Sequence, residues 1–114
     1  MKAGVFNLYI EQGATFTQVV QVSGIDLTNY TARGMVRQKA DDADPLVSFT
    51  IAIDSATQLT ISLTETQTKA LPADGEAYND VYQATYDVEL VHKTDSSVIR
   101  LINGFVSISP EVTK

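Results

Sequence analysis

The sequence predicts an all-β domain: an antiparallel β-sandwich, immunoglobulin-like in size, with about seven strands and one short helical crossover near residues 64–71. Apolar and polar residues alternate at period two through most of the chain, as half-buried strands require. Turn-forming clusters recur every ~8–12 residues, the spacing of short sandwich strands. No apolar-periodic segment is long enough for the helices of a βαβ sheet. The 114 residues suit one domain, 1–114, with a single core.

Taken in order, Phe6, Leu8 and Ile10 alternate with Val5, Asn7 and Tyr9 before Gln12-Gly13 ends the first strand. Phe16 to Val22 is rich in Thr and Val, which suit a pleated surface. Ser23-Gly24 and Asp26 to Asn29 supply turn chemistry. Tyr30 to Gln38 is the third strand, with Gly34 marking a bulge or a close backbone approach. Lys39 to Pro45 is acidic, ends in proline and reads as a loop. Val47, Phe49, Ile51 and Ile53 form one alternating strand, joined by a short hairpin to Leu59, Ile61 and Leu63.

Thr64-Glu65-Thr66-Gln67 fits a capping box opening a helix of about seven residues that Pro72 stops. Residues 73–80 form a loop. Gln83 to His92 alternates again, with Ala84, Tyr86, Val88 and Leu90 on one face, and Thr94 to Ser97 is a hairpin turn. Val98 to Ser109 contains Asn103-Gly104. That pair is either a hairpin turn splitting the stretch or a bulge bending one long strand at Gly104.

Composition narrows the function. Without cysteine there are no disulfides, thiolate metal sites or thiol nucleophiles, which favours assembly in a reducing cytoplasm. No stretch approaches the ~18 apolar residues of a membrane span, and the opening residues turn polar too soon for a signal peptide. A net charge of −6 with only eight Lys and Arg argues against binding a phosphate backbone. Neither a membrane nor a nucleic acid is an expected partner.

Catalytic constellations are poorly supplied. The one histidine, His92, stands at a predicted strand end beside Lys93 and reads as a solvated strand end, with a pH-sensitive contact as the alternative. There is no Gly-x-Ser-x-Gly nucleophile elbow. Asp41, Asp42 and Asp44 cluster, but Pro45 and Leu46 follow where a Ca²⁺ loop needs glycine and a distal glutamate. The glycines match no phosphate-binding spacing. The chain is therefore read as non-enzymatic, with no cofactor and no metal.

What remains are residues suited to holding other proteins. Tyr78 and Tyr82 are candidate interface anchors, because tyrosine favours half-buried contacts. Arg33 and Arg37 share a strand face; they read as solvated charges pairing with acids, with an ion-pair hook for a subunit partner as the alternative. Val5, Asn7 and Tyr9 belong to a first strand whose edge could add to a neighbouring sheet.

Two stretches carry a resemblance. One is Leu8-Tyr9-Ile10-Glu11-Gln12-Gly13-Ala14-Thr15-Phe16. The other combines Tyr86-Asp87-Val88-Glu89-Leu90 with Gly104-Phe105-Val106-Ser107-Ile108-Ser109-Pro110-Glu111-Val112-Thr113. Between them lie Tyr30 to Arg37 and the Leu63-Thr64-x-x-Gln67-Thr68 crossover. The whole resembles the N-terminal anchoring domains of tailed-bacteriophage baseplate upper and tail-fibre proteins.

The resemblance implies a bend, rather than a turn, at the terminal glycine. It also implies a structural role in a phage virion, connecting or anchoring tail, baseplate or fibre proteins, in a subunit made in the host cytoplasm. Other virion proteins and a symmetric homo-oligomer are the implied partners. No coiled coil, collagen-like stem or receptor-binding domain follows, so the expected role is the anchoring module alone. A capsid-surface decoration or head-fibre base is the alternative within that class, and a carbohydrate-binding module the alternative outside it.

Overall fold

A computed structural model describes residues 3–73 and 75–113; within the predicted 73–80 loop, residue 74 lies outside the described residues. The strands are β1 (Gly4–Val5), β2 (Leu8–Glu11), β3 (Phe16–Gln21), β4 (Tyr30–Arg37), β5 (Val47–Ser48), β6 (Thr50–Ser55), β7 (Gln58–Leu63), β8 (Tyr82–His92) and β9 (Val98–Ser109). A 3-10 turn spans Leu27–Asn29, and the one α-helix, α1, spans Glu65–Lys69.

One sheet runs β1-β9-β8-β4-β5, with β2 continuing β1 along β9. The other runs β3-β7-β6. Their inner faces meet over Leu8, Ile10, Leu59, Ile61, Val88, Leu90, Val106 and Ile108, all buried. This is the immunoglobulin-like arrangement: strands B, E and D in the smaller sheet, C′, C, F and G in the larger, with the first strand added to G.

Three details of the strands depart from expectation. The sandwich is not wholly antiparallel, because β1 and β2 pair parallel with β9. A parallel pair needs a long connection, and here the rest of the domain supplies it. Second, Val47 to Ile53 is not one strand. Its first part pairs with β4 and its second with β7, and the chain changes sheets at buried Phe49.

The third concerns β9. It is one continuous strand, so Asn103-Gly104 is not a turn. The register slip lies at Leu101, however, where Val88 faces Ile102 and Glu89 faces Arg100. Leu101 and Ile102 are consecutive yet both buried, as a bulged residue allows. Gly104 instead pairs regularly with Tyr86. Gly34 is likewise unbulged; a Cβ there would lie 2.9 Å from the Asp87 carbonyl, so close approach explains it.

The capping box forms as predicted: Thr64 Oγ1 accepts from the Gln67 N–H, and Gln67 Oε1 accepts from the Thr64 N–H. The helix is five residues rather than about seven, because the Leu71 N–H turns back to Thr68 and Leu71 enters the core. Buried Thr68 donates its hydroxyl to the Ala14 carbonyl (2.9 Å) and accepts from the Gly13 N–H (3.1 Å). The Gln12 carboxamide donates to Leu71 O and accepts from the Glu111 N–H. Gly13, at φ +86°, makes the tight turn these contacts need. The Gln-Gly and Leu-Thr-x-x-Gln-Thr motifs, far apart in sequence, are thus two halves of one seam.

Tyr86 donates its hydroxyl to the Phe6 carbonyl, fixing the break between β1 and β2. Burial pushes this phenol up to about 12, against about 10 in the unfolded chain. Between those values the unfolded state has lost the proton and the folded state retains it. The Tyr86 contribution to stability is therefore full below pH 10 and is lost as pH rises towards 12. In urea melts taken on either side of pH 10, Tyr86→Phe is expected to show a shallower alkaline decline than the wild type. Parallel declines would show that Tyr86 is not the group responsible.

Candidate protein-binding face

The outward side chains of the larger sheet fall into rows set by strand register. One row holds Arg33, Glu89 and Arg100; the next holds Met35, Asp87, Asn103 and Val5. Arg37, Thr85 and Phe105 form a third, and Gln83, Ser107 and Tyr9 a fourth. Alternation places these residues outside because their neighbours Gly34, Val36, Tyr86, Val88, Val106 and Leu8 point inward.

Five of the residues singled out in the sequence therefore belong to one side of the domain: Val5, Asn7, Tyr9, Arg33 and Arg37. Val5 is 78% exposed and Tyr9 53%. Asn7 turns its carboxamide oxygen to the Phe105 N–H at 3.0 Å, so it fastens the first strand to β9. Tyr78 and Tyr82 do not join them. Tyr78 is exposed, on the loop that leads to β8, and its carbonyl accepts from the Ser109 hydroxyl. Tyr82 points inward and packs against the core opposite Ile108.

Phe105, 56% exposed at the middle of the face, was not singled out. Its orientation depends on β9 being continuous, and Asn103-Gly104 left the phase of that strand open. Once Val106 and Ile108 are both assigned inward, alternation alone turns Phe105 outward. Met35, Asp87 and Asn103 escaped for another reason: each is an ordinary strand residue until the register aligns them.

All three arginines of the chain lie on this face, and the strands that form it contain no lysine. Arg33 Nε donates to Glu89 Oε1 at 2.9 Å, and Arg100 Nε lies 3.5 Å from Asp87 Oδ2. Arg37 Nε donates to the backbone carbonyl of Asp42 at 3.1 Å, tying the acidic loop to the sheet. Burial raises the Asp87 carboxyl above the usual carboxylate range, and the nearby Glu89 charge adds to it. Arg100, Arg37 and Arg33 act in the opposite direction. A shallow depression of about 180 Å³ separates Arg37 from Arg100, floored by Met35, Thr85, Asp87 and Asn103.

Elsewhere the titratable groups serve local structure. His92 stacks edge-on against Tyr30 with centroids 5.0 Å apart, and its Nδ1 accepts from the Thr94 N–H. Asp42 caps its own loop by accepting from the Lys39 N–H. Among the described residues no three His, Cys, Asp or Glu side chains are grouped to hold a metal. No helix among them is long and apolar enough to cross a membrane.

No protein-family model matches the chain, and no curated protein matches it. Among solved structures, the NK cell receptor NKp44, a triggering partner in natural cytotoxicity, aligns over 96% of this chain and 100% of its own. The identity is 18% and the TM-score 0.49. The immunoglobulin-like assignment rests on the strand order itself.

Proposed function

We propose that this domain is a non-enzymatic structural component of a tailed-phage virion, connecting or anchoring tail, baseplate or fibre proteins through the outer face of its larger sheet. The observation that supports this reading is the composition of that face. Exposed Phe105, Tyr9 and Val5 lie on the same face as every arginine of the chain, and Met35 lies there between Arg33 and Arg37. Aromatic residues, methionine and arginine are enriched at protein interfaces and lysine is depleted. The placing within a virion comes from the resemblance of the Gln-Gly, Leu-Thr-x-x-Gln-Thr and terminal Gly-x-Val-x-Ile-x-Pro motifs to phage anchoring domains. A capsid-surface decoration would use the same face on a different partner.

The test is incorporation into particles. Tagged wild-type protein and Phe105→Asp are supplied to cells producing the phage that encodes the chain, and particles are purified by density. Wild type is expected to co-purify with particles, and Phe105→Asp to be depleted about 30-fold, the effect of losing a hot spot of ~2 kcal/mol. Phe105 is mostly solvated, so the variant should keep its circular dichroism spectrum. Equal incorporation of both proteins would remove the face from the interface. Absence of wild type from particles would overturn the virion role, and binding of the monomer to cell-surface glycans would then favour a carbohydrate-binding module.

A further inference from the structure

The smaller sheet ends at β3, and that edge is unpaired among the described residues. In constant-type immunoglobulin domains a further strand completes this sheet beside B. Here the first strand pairs with β9 instead. The directions of the backbone groups follow from one bond. The Val22 N–H donates to the Thr57 carbonyl at 2.8 Å, so Val20, Gln18 and Phe16 direct their backbone groups to β7. Thr17, Val19 and Gln21 therefore turn theirs to the open side. The Gln18 carboxamide donates to the Val19 carbonyl at 3.0 Å, a side-chain substitute for a missing strand.

Natural sheets usually protect such an edge with lysine, proline, a bulge or an inward charge. Phe16-Thr17-Gln18-Val19-Val20-Gln21 has none of these, and its ladder with β7 is unbroken. Beside it opens an apolar groove of about 270 Å³ lined by Val5, Phe6, Val19, Val20 and Ile102.

We infer that β3 is a self-association edge, pairing antiparallel with β3 of a second copy about a twofold axis at Val19. Three features select a second copy as the occupant. The first is charge: a chain of net charge −6 repels its own copies, yet β3 carries no charge. The outward row across β3, β7 and β6 carries only Asp54, on the far strand. The second is register. Setting Val19 opposite Val19 places Thr17 opposite Gln21 on both sides, and all three are edge-facing residues.

That single register forms about six backbone hydrogen bonds with no unmatched group among these residues. The third is side-chain pairing. Val meets Val and Thr meets Gln on the outer face, with no like charges opposed. The product is a continuous six-stranded sheet, β6-β7-β3 joined to its twofold mate. Val5 borders both the groove and the Arg–Phe105 face, but neither Phe105 nor any arginine lines the groove, so a dimer would present two copies of that face.

The test uses light scattering across a concentration series on the intact chain, with three variants. Wild type is expected to go from monomer to dimer. Val19→Lys and Val19→Glu, each placing like charges directly opposite one another at the axis, are expected to dimerise about tenfold more weakly or worse. Mixed one to one, these two should recover a dimer, because only the twofold at Val19 brings Lys and Glu together. Phe105→Asp should dimerise as wild type does, separating failure of this inference from failure of the virion reading. Unchanged circular dichroism confirms that the Val19 variants fold. A wild type monomeric throughout, undiminished dimers in both single variants, or no recovery in the mixture would each overturn the proposal.

Discussion

Gly104→Val is expected to reduce unfolding free energy by about 3 kcal/mol or more and to release the N-terminal strand. A Cβ at this position would lie 2.3 Å from the Phe6 carbonyl oxygen and 2.9 Å from Asn7 Oδ1. The first is backbone and cannot swing aside. Phe6 is held there from two directions, its N–H donating to Asn103 O at 2.9 Å and its carbonyl accepting the Tyr86 hydroxyl. Moving Phe6 outward breaks both bonds and strands the buried Tyr86 hydroxyl without a partner, itself worth roughly 1–3 kcal/mol.

The position of this damage is also predicted. Hydrogen exchange in Gly104→Val should speed up at β2, whose Leu8 to Glu11 pair only with β9. The β6–β7 hairpin should keep its protection. Gly104→Ala should show the same pattern at smaller amplitude. A variant as stable as wild type would mean that the break between β1 and β2 is soft enough to absorb a side chain.

That glycine shows where the sequence could and could not be read. Its neighbourhood offered two meanings, turn or bend, because Asn-Gly is a local signal while the reason for Gly104 is a contact with a strand about a hundred residues earlier. The interior of the large sheet was legible, since Ala84, Tyr86, Val88 and Leu90 alternate and all four are buried. The Thr64–Gln67 capping box was legible too, because its partners are three residues apart.

Local patterns failed where a contact is long-range. The parallel pairing of the first and last strands leaves no turn in the sequence to announce it. The candidate face was half visible. Arg33 and Arg37 share a strand and could be paired by spacing, and the first strand could be called exposed on one side. That these belong to the same surface depends on the order β4-β8-β9-β1, which no local pattern encodes.

Phe49→Ala is expected to be the most damaging single truncation, at about 3–5 kcal/mol, while Phe105→Ala should change stability by no more than about 0.5 kcal/mol. Phe49 sits where the chain leaves the larger sheet for the smaller, its N–H donating to the Gly34 carbonyl at 2.9 Å. Its ring stands edge-on to Tyr86 with centroids 6.0 Å apart and 6.4 Å from Phe16. Phe16 lies on β3 and Tyr86 on β8, strands B and F, which antibody domains join by a disulfide packed on tryptophan. This chain has neither cysteine nor tryptophan, and the three rings span the same gap between sheets.

Removing the middle ring opens a cavity that rigid strands on both sides cannot close, so the cost exceeds simple transfer of one side chain. Chemical denaturation of the two variants compares the same substitution at a buried and an exposed site. If Phe49→Ala lost no more than Phe105→Ala, the inter-sheet aromatic bridge would not be what holds the sandwich closed at this point.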